Sequence, residues 1–314
     1  MEIGYIGLGR MGSNMVENFL DHNIKVVAYD KASDLVKILM DKRKEDVASG
    51  LLKGADSIEA VANNLRMPRT VWLMIPAGKT VDIVLSQLIQ YISVGDLIIE
   101  GGNSNFKDSI RRAREMKDEG IEYLDIGTSG GTVGARHGTC LTIGGKKEVY
   151  ERAEPLLVTA SSGKGMMYVG PSGAGHFAKM VHNFIEYGME QAMCEGAALM
   201  KEGLEKLFKQ QNPDLVGLCD AWNNGSIIQS RLMEEMANAF KLYPGLEQLT
   251  SSIGGGESGE QALNTAMELK VPMPCCTVAL LERYRSRAGD NSYVGRAISA
   301  MRNSFGGHEI KKRM

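Results

Sequence analysis

The sequence predicts an α/β dinucleotide-binding domain followed by an all-α domain. Three observations carry that expectation. Short β-branched apolar runs alternate with helical stretches through the first half, a spaced set of glycines stands at the first strand–helix junction, and strand signals stop near residue 175. Strands alternating with helices build a mostly parallel sheet covered on both faces. Sheets of that kind bind ligands at the carboxyl ends of their strands.

In order, the strand candidates are EIGYIG (2–7), IKVVAY (24–29), TVWLMI (70–75), DLIIEGG (96–102), IEYLDI (121–126) and CLTIGG (140–145). Between them, stretches such as GSNMVENFLDHN and NFKDSIRRAREMKDEG have helical period and close on Asn or Gly, residues that stop helices. The first junction reads GLGRMG, so Gly7, Gly9 and Gly12 match G-x-G-x-x-G, with Leu8, Arg10 and Met11 between them. The spacing alone is weak, because glycines are common. Its context is specific: it follows a strand, opens a helix and is answered by Asp30 at the end of the second strand. Gly7 makes a tight turn, Gly9 admits a pyrophosphate, Gly12 lets helix pack on strand, and the helix N-terminus receives phosphate charge. These features predict a Rossmann-type domain. A carboxylate at Asp30 accepts hydrogen bonds from the ribose hydroxyls and repels a 2′-phosphate, a repulsion that Lys31 partly offsets. NAD is therefore the expected cofactor, with NADP left open.

Three later strand ends offer further site material. MIPAG (74–78) brings Met74, Ile75 and Pro76 toward the cofactor, GGNSN (101–105) puts Asn103 beyond a strand end, and DIGTSGGTVGARHG (125–138) does the same for Ser129, Gly130 and Gly131. On the residues alone, each is equally open to reading as a plain glycine-rich turn.

A chain of 314 residues is expected to hold two domains, here 1–172 and 173–314, with the boundary in the Pro- and Gly-bearing YVGPSGAGH. Hydrophobic residues make up 43% and charged residues 24%, enough for an ordinary core. A net charge of −2 gives no surface for a polyanion, so no nucleic-acid partner is expected. Apolar runs fall short of a membrane span, and the first residues enter a strand with no targeting segment. Cys140, Cys194, Cys219, Cys275 and Cys276 have no metal-ligand spacing; an odd set of this kind points to free thiols in the cytoplasm, and no metal is expected.

The second half opens with HFAKMVHNFIEYGMEQAMCEGAALMKEGL, one long helix candidate. Lys179, His182, Asn183 and Glu186 recur at i, i+3, i+4 and i+7, one narrow line on a helix. Phe177, Met180, Val181, Phe184, Ile185 and Met189 surround it. Lysine and glutamate are seldom buried without partners, so the line is expected to face a cavity or a dense polar network. A Lys–Glu pair on a solvated face fits less well, since Lys179 and Glu186 stand two turns apart. The line suits alcohol oxidation: a partly desolvated lysine has a lowered pKa and takes the hydroxyl proton, a carboxyl group raised by the same environment returns one, and an amide and an imidazole orient the substrate.

Together, GLGRMG, WLMIPAG, GGNS, DIGTSGG, GAGHFAKMVHNFIEYG and the late RNSFGGH (302–308) resemble 6-phosphogluconate dehydrogenases, in particular the shorter form, over nearly the whole chain. The wider β-hydroxyacid dehydrogenase superfamily shares the glycines, Lys179 and Asn183; the set Lys-x-x-His-Asn-x-x-Glu-Tyr marks the phosphogluconate branch. The resemblance implies NAD(P)-dependent oxidative decarboxylation of 6-phosphogluconate to ribulose 5-phosphate. Lys179 would be the base at the C3 hydroxyl and Glu186 the acid that protonates the enediol. His182, Asn183, Asn103 and the Ser129–Gly130–Gly131 turn would hold the hydroxyls and carboxylate. Tyr187 and Arg283 would reach the phosphate. Arg302 and His308 match a C-terminal pair that completes the partner subunit's site, implying a homodimer. One stretch departs from the family: SSIGGGESGEQAL (251–263) carries Glu257 and Glu260 where relatives have a basic loop ending in Trp-Thr. Two rivals are another β-hydroxyacid dehydrogenase, such as a 3-hydroxyisobutyrate-like dehydrogenase or a semialdehyde reductase, and a dinucleotide-binding regulator without catalysis. Glu186 and the Arg302/His308 tail weigh against the first, and the intact polar line against the second.

Overall fold

The computed structural model describes residues 1–289 and 291–312. It divides into two compact units, Met1–Met180 and Val181–Met314.

The first unit is built on one sheet of eight strands: β1 Glu2–Ile6, β2 Lys25–Tyr29, β3 Leu52–Gly54, β4 Thr70–Leu73, β5 Leu97–Glu100, β6 Glu122–Ser129, β7 Thr139–Gly145 and β8 Ser161–Gly170. Their order is β3-β2-β1-β4-β5-β6-β7-β8. Pairing is parallel except between β6 and β7. The strand order reverses at β1, flanked by β2 and β4, so the Gly7 turn lies at the switch point where such sheets open a crevice. Every residue of β5 is buried, as expected for a central strand covered on both faces.

Six of these strands coincide with the sequence expectation. Two were not expected. β3 has only three residues, and β8 is an edge strand whose Ser, Gly and Lys residues carry little strand preference.

The helices of this unit are α1 Arg10–Asp21, α2 Ser33–Lys42, α3 Lys44–Ala48, α4 Ile58–Asn63, α5 Lys79–Leu88, α6 Phe106–Asp118, α7 Gly131–His137 and α8 Lys147–Ala160. Two cores separate them by face. One, around Phe19, Trp72 and Leu157, lies under α1, α2 and α8; the other, around Val61, Leu85 and Met116, lies under α4, α5 and α6.

The long helix is real: α9 spans Ala174–Lys206. It begins in the first unit and continues into the second, where α10 Leu215–Trp222, α11 Arg231–Leu242, α12 Glu257–Leu269, α13 Pro274–Arg287 and α14 Tyr293–Gly306 follow. The second unit has its own core of Cys194, Met233, Phe240, Ile298 and Met301 among others. Helix starts are capped as the sequence allows: Asp214, Ser230 and Ser292 each accept a backbone N–H from the first turn of α10, α11 and α14.

Candidate active site

The glycine turn is shaped as its pattern requires. Gly7 has φ +105°, and a Cβ on Gly12 would stand 1.9 Å from the Gly7 carbonyl oxygen, so α1 meets the turn only because Gly12 has no side chain. Asp30 pins the turn from below: the Leu8 N–H donates to Oδ2 at 2.7 Å and the Ala32 N–H to Oδ1 at 2.8 Å. Asp30 and Lys31 line a cleft of about 420 Å³ with Tyr29, Gly54, Ala55 and Asn64. Arg10 is exposed and Met11 half-buried in the first turn of α1. Met74, Ile75 and exposed Pro76 follow β4, the strand beside β1. An open space at Gly9, where a Cβ would meet nothing within 4 Å, a helix N-terminus and the Asp30 carboxylate fit a dinucleotide.

The Lys179 side chain is buried, 9% exposed, and its Nζ donates to Ser129 Oγ at 3.0 Å. Two devices bring it there. A Cβ on Gly127 would stand 2.4 Å from the Lys179 Cβ, so the helix lies directly on β6. Asp125, fully buried on the same strand, accepts the Gly173 N–H at 2.6 Å and the His176 N–H at 2.9 Å, holding the first turn of α9 with a carboxylate. The His176 ring is locked too, with Nδ1 2.7 Å from Ser109 Oγ and Nε2 3.2 Å from the Ile126 carbonyl.

Asn103 lies beside this strand end with φ +56°. Both ends of its amide are engaged: Oδ1 accepts the Thr128 N–H at 2.8 Å, and Nδ2 donates to the Thr128 carbonyl at 3.0 Å. Asn103 thus braces the strand leading to Ser129. The loop behind it is anchored by Glu100, which accepts from Ser104 at 2.9 Å and Tyr123 at 3.0 Å. Gly130 and Gly131 turn the chain into α7 with positive φ.

In the second unit, the rest of the polar line forms its own network. His182 Nδ1 is 3.3 Å from Asn183 Oδ1 and 3.7 Å from Glu186 Oε2. Asn183 Nδ2 donates to Ser258 Oγ at 3.5 Å, and Tyr187 Oη is 3.1 Å from the same hydroxyl. Arg283 lies 3.6 Å above the Tyr187 ring and donates Nη1 to the Gly254 carbonyl at 3.2 Å, while Arg302 reaches that carbonyl at 2.7 Å. His308 is exposed past the end of α14, its ring 6.1 Å from that of Phe305.

The line is flanked as expected by buried Met180 and Phe184, but Ile185 and Met189 are 48% and 42% exposed. The apolar ring around the line is therefore not wholly covered within the chain. Sequence reasoning missed Ser258, which lies in the atypical 251–263 stretch, and Glu190, which continues the polar line of α9 one turn beyond Glu186. Nothing local in the sequence marks Ser258, whereas the i+4 step from Glu186 marks Glu190.

Two family models cover most of the chain: the NAD binding domain of 6-phosphogluconate dehydrogenase matches residues 2–170, and the 6-phosphogluconate dehydrogenase C-terminal domain matches residues 175–286. The chain belongs to the 6-phosphogluconate dehydrogenase family. A putative 6-phosphogluconate dehydrogenase of Bacillus subtilis is 40% identical across the full length of both chains. An NAD(+)-dependent, decarboxylating 6-phosphogluconate dehydrogenase of Haloferax volcanii is 36% identical, covering 100% of this chain and 99% of that one. The solved Plasmodium falciparum 6-phosphogluconate dehydrogenase superposes with a TM-score of 0.82 at 32% identity; the match covers 91% of this chain and 62% of that longer one. Among the described residues no helix is long and apolar enough to cross a membrane.

Proposed function

We infer that the protein is a 6-phosphogluconate dehydrogenase that oxidises and decarboxylates 6-phosphogluconate with NAD. The observation that carries this reading is Lys179, a nearly buried amine held against Ser129 at a strand end of the dinucleotide domain, on the same unbroken helix as Glu186. The glycine turn, Asp30 and Lys31 would hold the dinucleotide; when bound, its nicotinamide supplies the acceptor that oxidises the alcohol carbon.

The protein's own part is proton handling and orientation. Lys179, in its neutral form, takes the proton from the C3 hydroxyl as that carbon is oxidised. Its hydrogen bond to Ser129 fixes where Nζ points. The resulting 3-keto acid loses carbon dioxide, and Glu186 gives a proton to the enediol carbon. His182 and Asn183 stand between Lys179 and Glu186 to orient hydroxyls, with the Ser129–Gly130–Gly131 turn as a further contact. Asn103 supports that turn through Thr128. Tyr187, Arg283 and Arg302 form the phosphate end, with His308 beyond them.

A homodimer belongs to the same proposal. Its support is the exposed apolar set Ile185 and Met189 on α9 and Val278 and Leu281 on α13, which a partner would cover. Arg302 stands beside Arg283 of its own chain, so the clamp can form within one subunit, with the partner's tail as an addition to it. A cytoplasmic location is supported by five free thiols.

Steady-state assays with 6-phosphogluconate test the reading. One carbon dioxide is expected per reduced cofactor, with NAD preferred over NADP. Reduction without carbon dioxide release would assign the chain to a plain β-hydroxyacid dehydrogenase activity instead.

A further inference from the structure

The second unit holds a buried ion pair that the chemistry above does not use. Glu190, fully buried on α9, places Oε2 against Nη2 of Arg283, which is itself 2% exposed. Among the described residues its other oxygen, Oε1, is buried without a hydrogen-bond partner. One arginine of the phosphate end thus already has a carboxyl partner within the protein. Of the five N–H donors of its guanidinium, Arg283 gives one to the Gly254 carbonyl and one to Glu190, so a phosphate that approaches from the Glu190 side meets a competitor.

The carboxylate is also poorly housed as an ion. A buried carboxylate with one oxygen unsatisfied is costly, and burial pushes its pKa up to about 8 while Arg283 pulls against that rise. Glu186 on the same helix adds to the rise, and Arg302 from α14 opposes it. Cys194, the next turn of α9, is buried beside it with its thiol held well above the usual range, and Glu195 adds to that effect.

We propose that Glu190 tunes affinity at the phosphate end: when ionised it is the counter-ion of Arg283, displaced when the substrate's phosphate takes the guanidinium, and it picks up a proton from solvent as it is displaced. This rests on the phosphogluconate reading. The step balances as carboxylate plus proton giving carboxylic acid, with no other bond changed. The exchange weakens phosphate binding by the cost of freeing Arg283, and that cost grows as pH rises and Glu190 ionises. A sugar acid without the phosphate leaves the pair intact.

The test is calorimetry of ligand binding to the full chain at pH 8, in buffers of different ionisation enthalpy. The phosphate is then almost wholly a dianion and takes up little itself. Net proton uptake is expected with 6-phosphogluconate and not with gluconate. Glu190→Gln should abolish the uptake and tighten 6-phosphogluconate binding about tenfold, the scale of one charge-assisted contact. In kinetics the change should fall on KM for the phosphorylated acid rather than on kcat. Equal proton uptake with the two sugar acids, or unchanged uptake in Glu190→Gln, would overturn the proposal. If Glu190→Gln does not fold, the wild-type comparison of the two acids still decides. If the enzyme does not turn over 6-phosphogluconate, the functional reading fails separately. Inorganic phosphate then serves as the probe: uptake on its binding keeps the Glu190 exchange, and its absence rejects it.

Discussion

Asp125 is a small group on which the position of Lys179 depends. It is fully buried on β6 and accepts two backbone N–H bonds from the start of α9, at 2.6 Å from Gly173 and 2.9 Å from His176. Asp125→Ala removes both acceptors and leaves two buried donors unpaired. Losing a helix cap costs about 0.5 to 2 kcal/mol, and stranding a buried polar group about 1 to 3 kcal/mol, so a loss of about 3 kcal/mol is expected. For a unit of this size that lowers the melting temperature by about 6 to 12 °C. Asp125→Asn keeps one acceptor and should lose about half as much. Because the same turn fixes the approach of α9 to β6, the variant's kcat should fall at least about tenfold, the usual penalty for a misplaced reacting group. Thermal melting followed by circular dichroism, together with kcat at saturating substrates, checks both parts. An Asp125→Ala protein that melts within about 2 °C of wild type at full kcat would refute the idea that this cap positions the lysine.

Two further outcomes follow from the geometry. Asp30→Ser removes the carboxylate proposed to meet the ribose and also frees the Leu8 and Ala32 N–H groups, so the preference for NAD over NADP should fall by about tenfold or more in kcat/KM. Glu190 gives stability a definite slope. Its folded pKa of about 8 lies above the ordinary 4.5, so the folded state binds the extra proton between those values, and stability from this group is present at low pH and lost as pH rises through that window. Denaturant titrations across this range should show a shallower decline for Glu190→Gln than for wild type.

Much of this architecture is written locally in the chain. The Gly7 turn is legible because three glycines, a preceding strand and Asp30 are all required by one short piece of backbone. The α9 helix is legible because its period runs unbroken from Ala174 to Lys206. What was not legible depends on distant partners. β8 counts as a strand only because β7 supplies its ladder, and β3 because β2 does. Ser258 joins Asn183 and Tyr187 across more than seventy positions of sequence, and the Glu190–Arg283 pair spans ninety-three. No period or spacing rule marks contacts of that reach. Asn103 illustrates a subtler limit: its place beyond a strand end was visible, but the use of its amide to brace Thr128 was not.

The most direct measurement is turnover of 6-phosphogluconate by Lys179→Met, read as carbon dioxide released per reduced cofactor. Met has similar length and no proton to accept or give, so cofactor and sugar acid should still bind while kcat falls by about 10²- to 10⁴-fold, the contribution of a positioned base. Release of carbon dioxide at close to the wild-type rate would show that the proton leaves by another route, and the role given to Lys179 would be wrong.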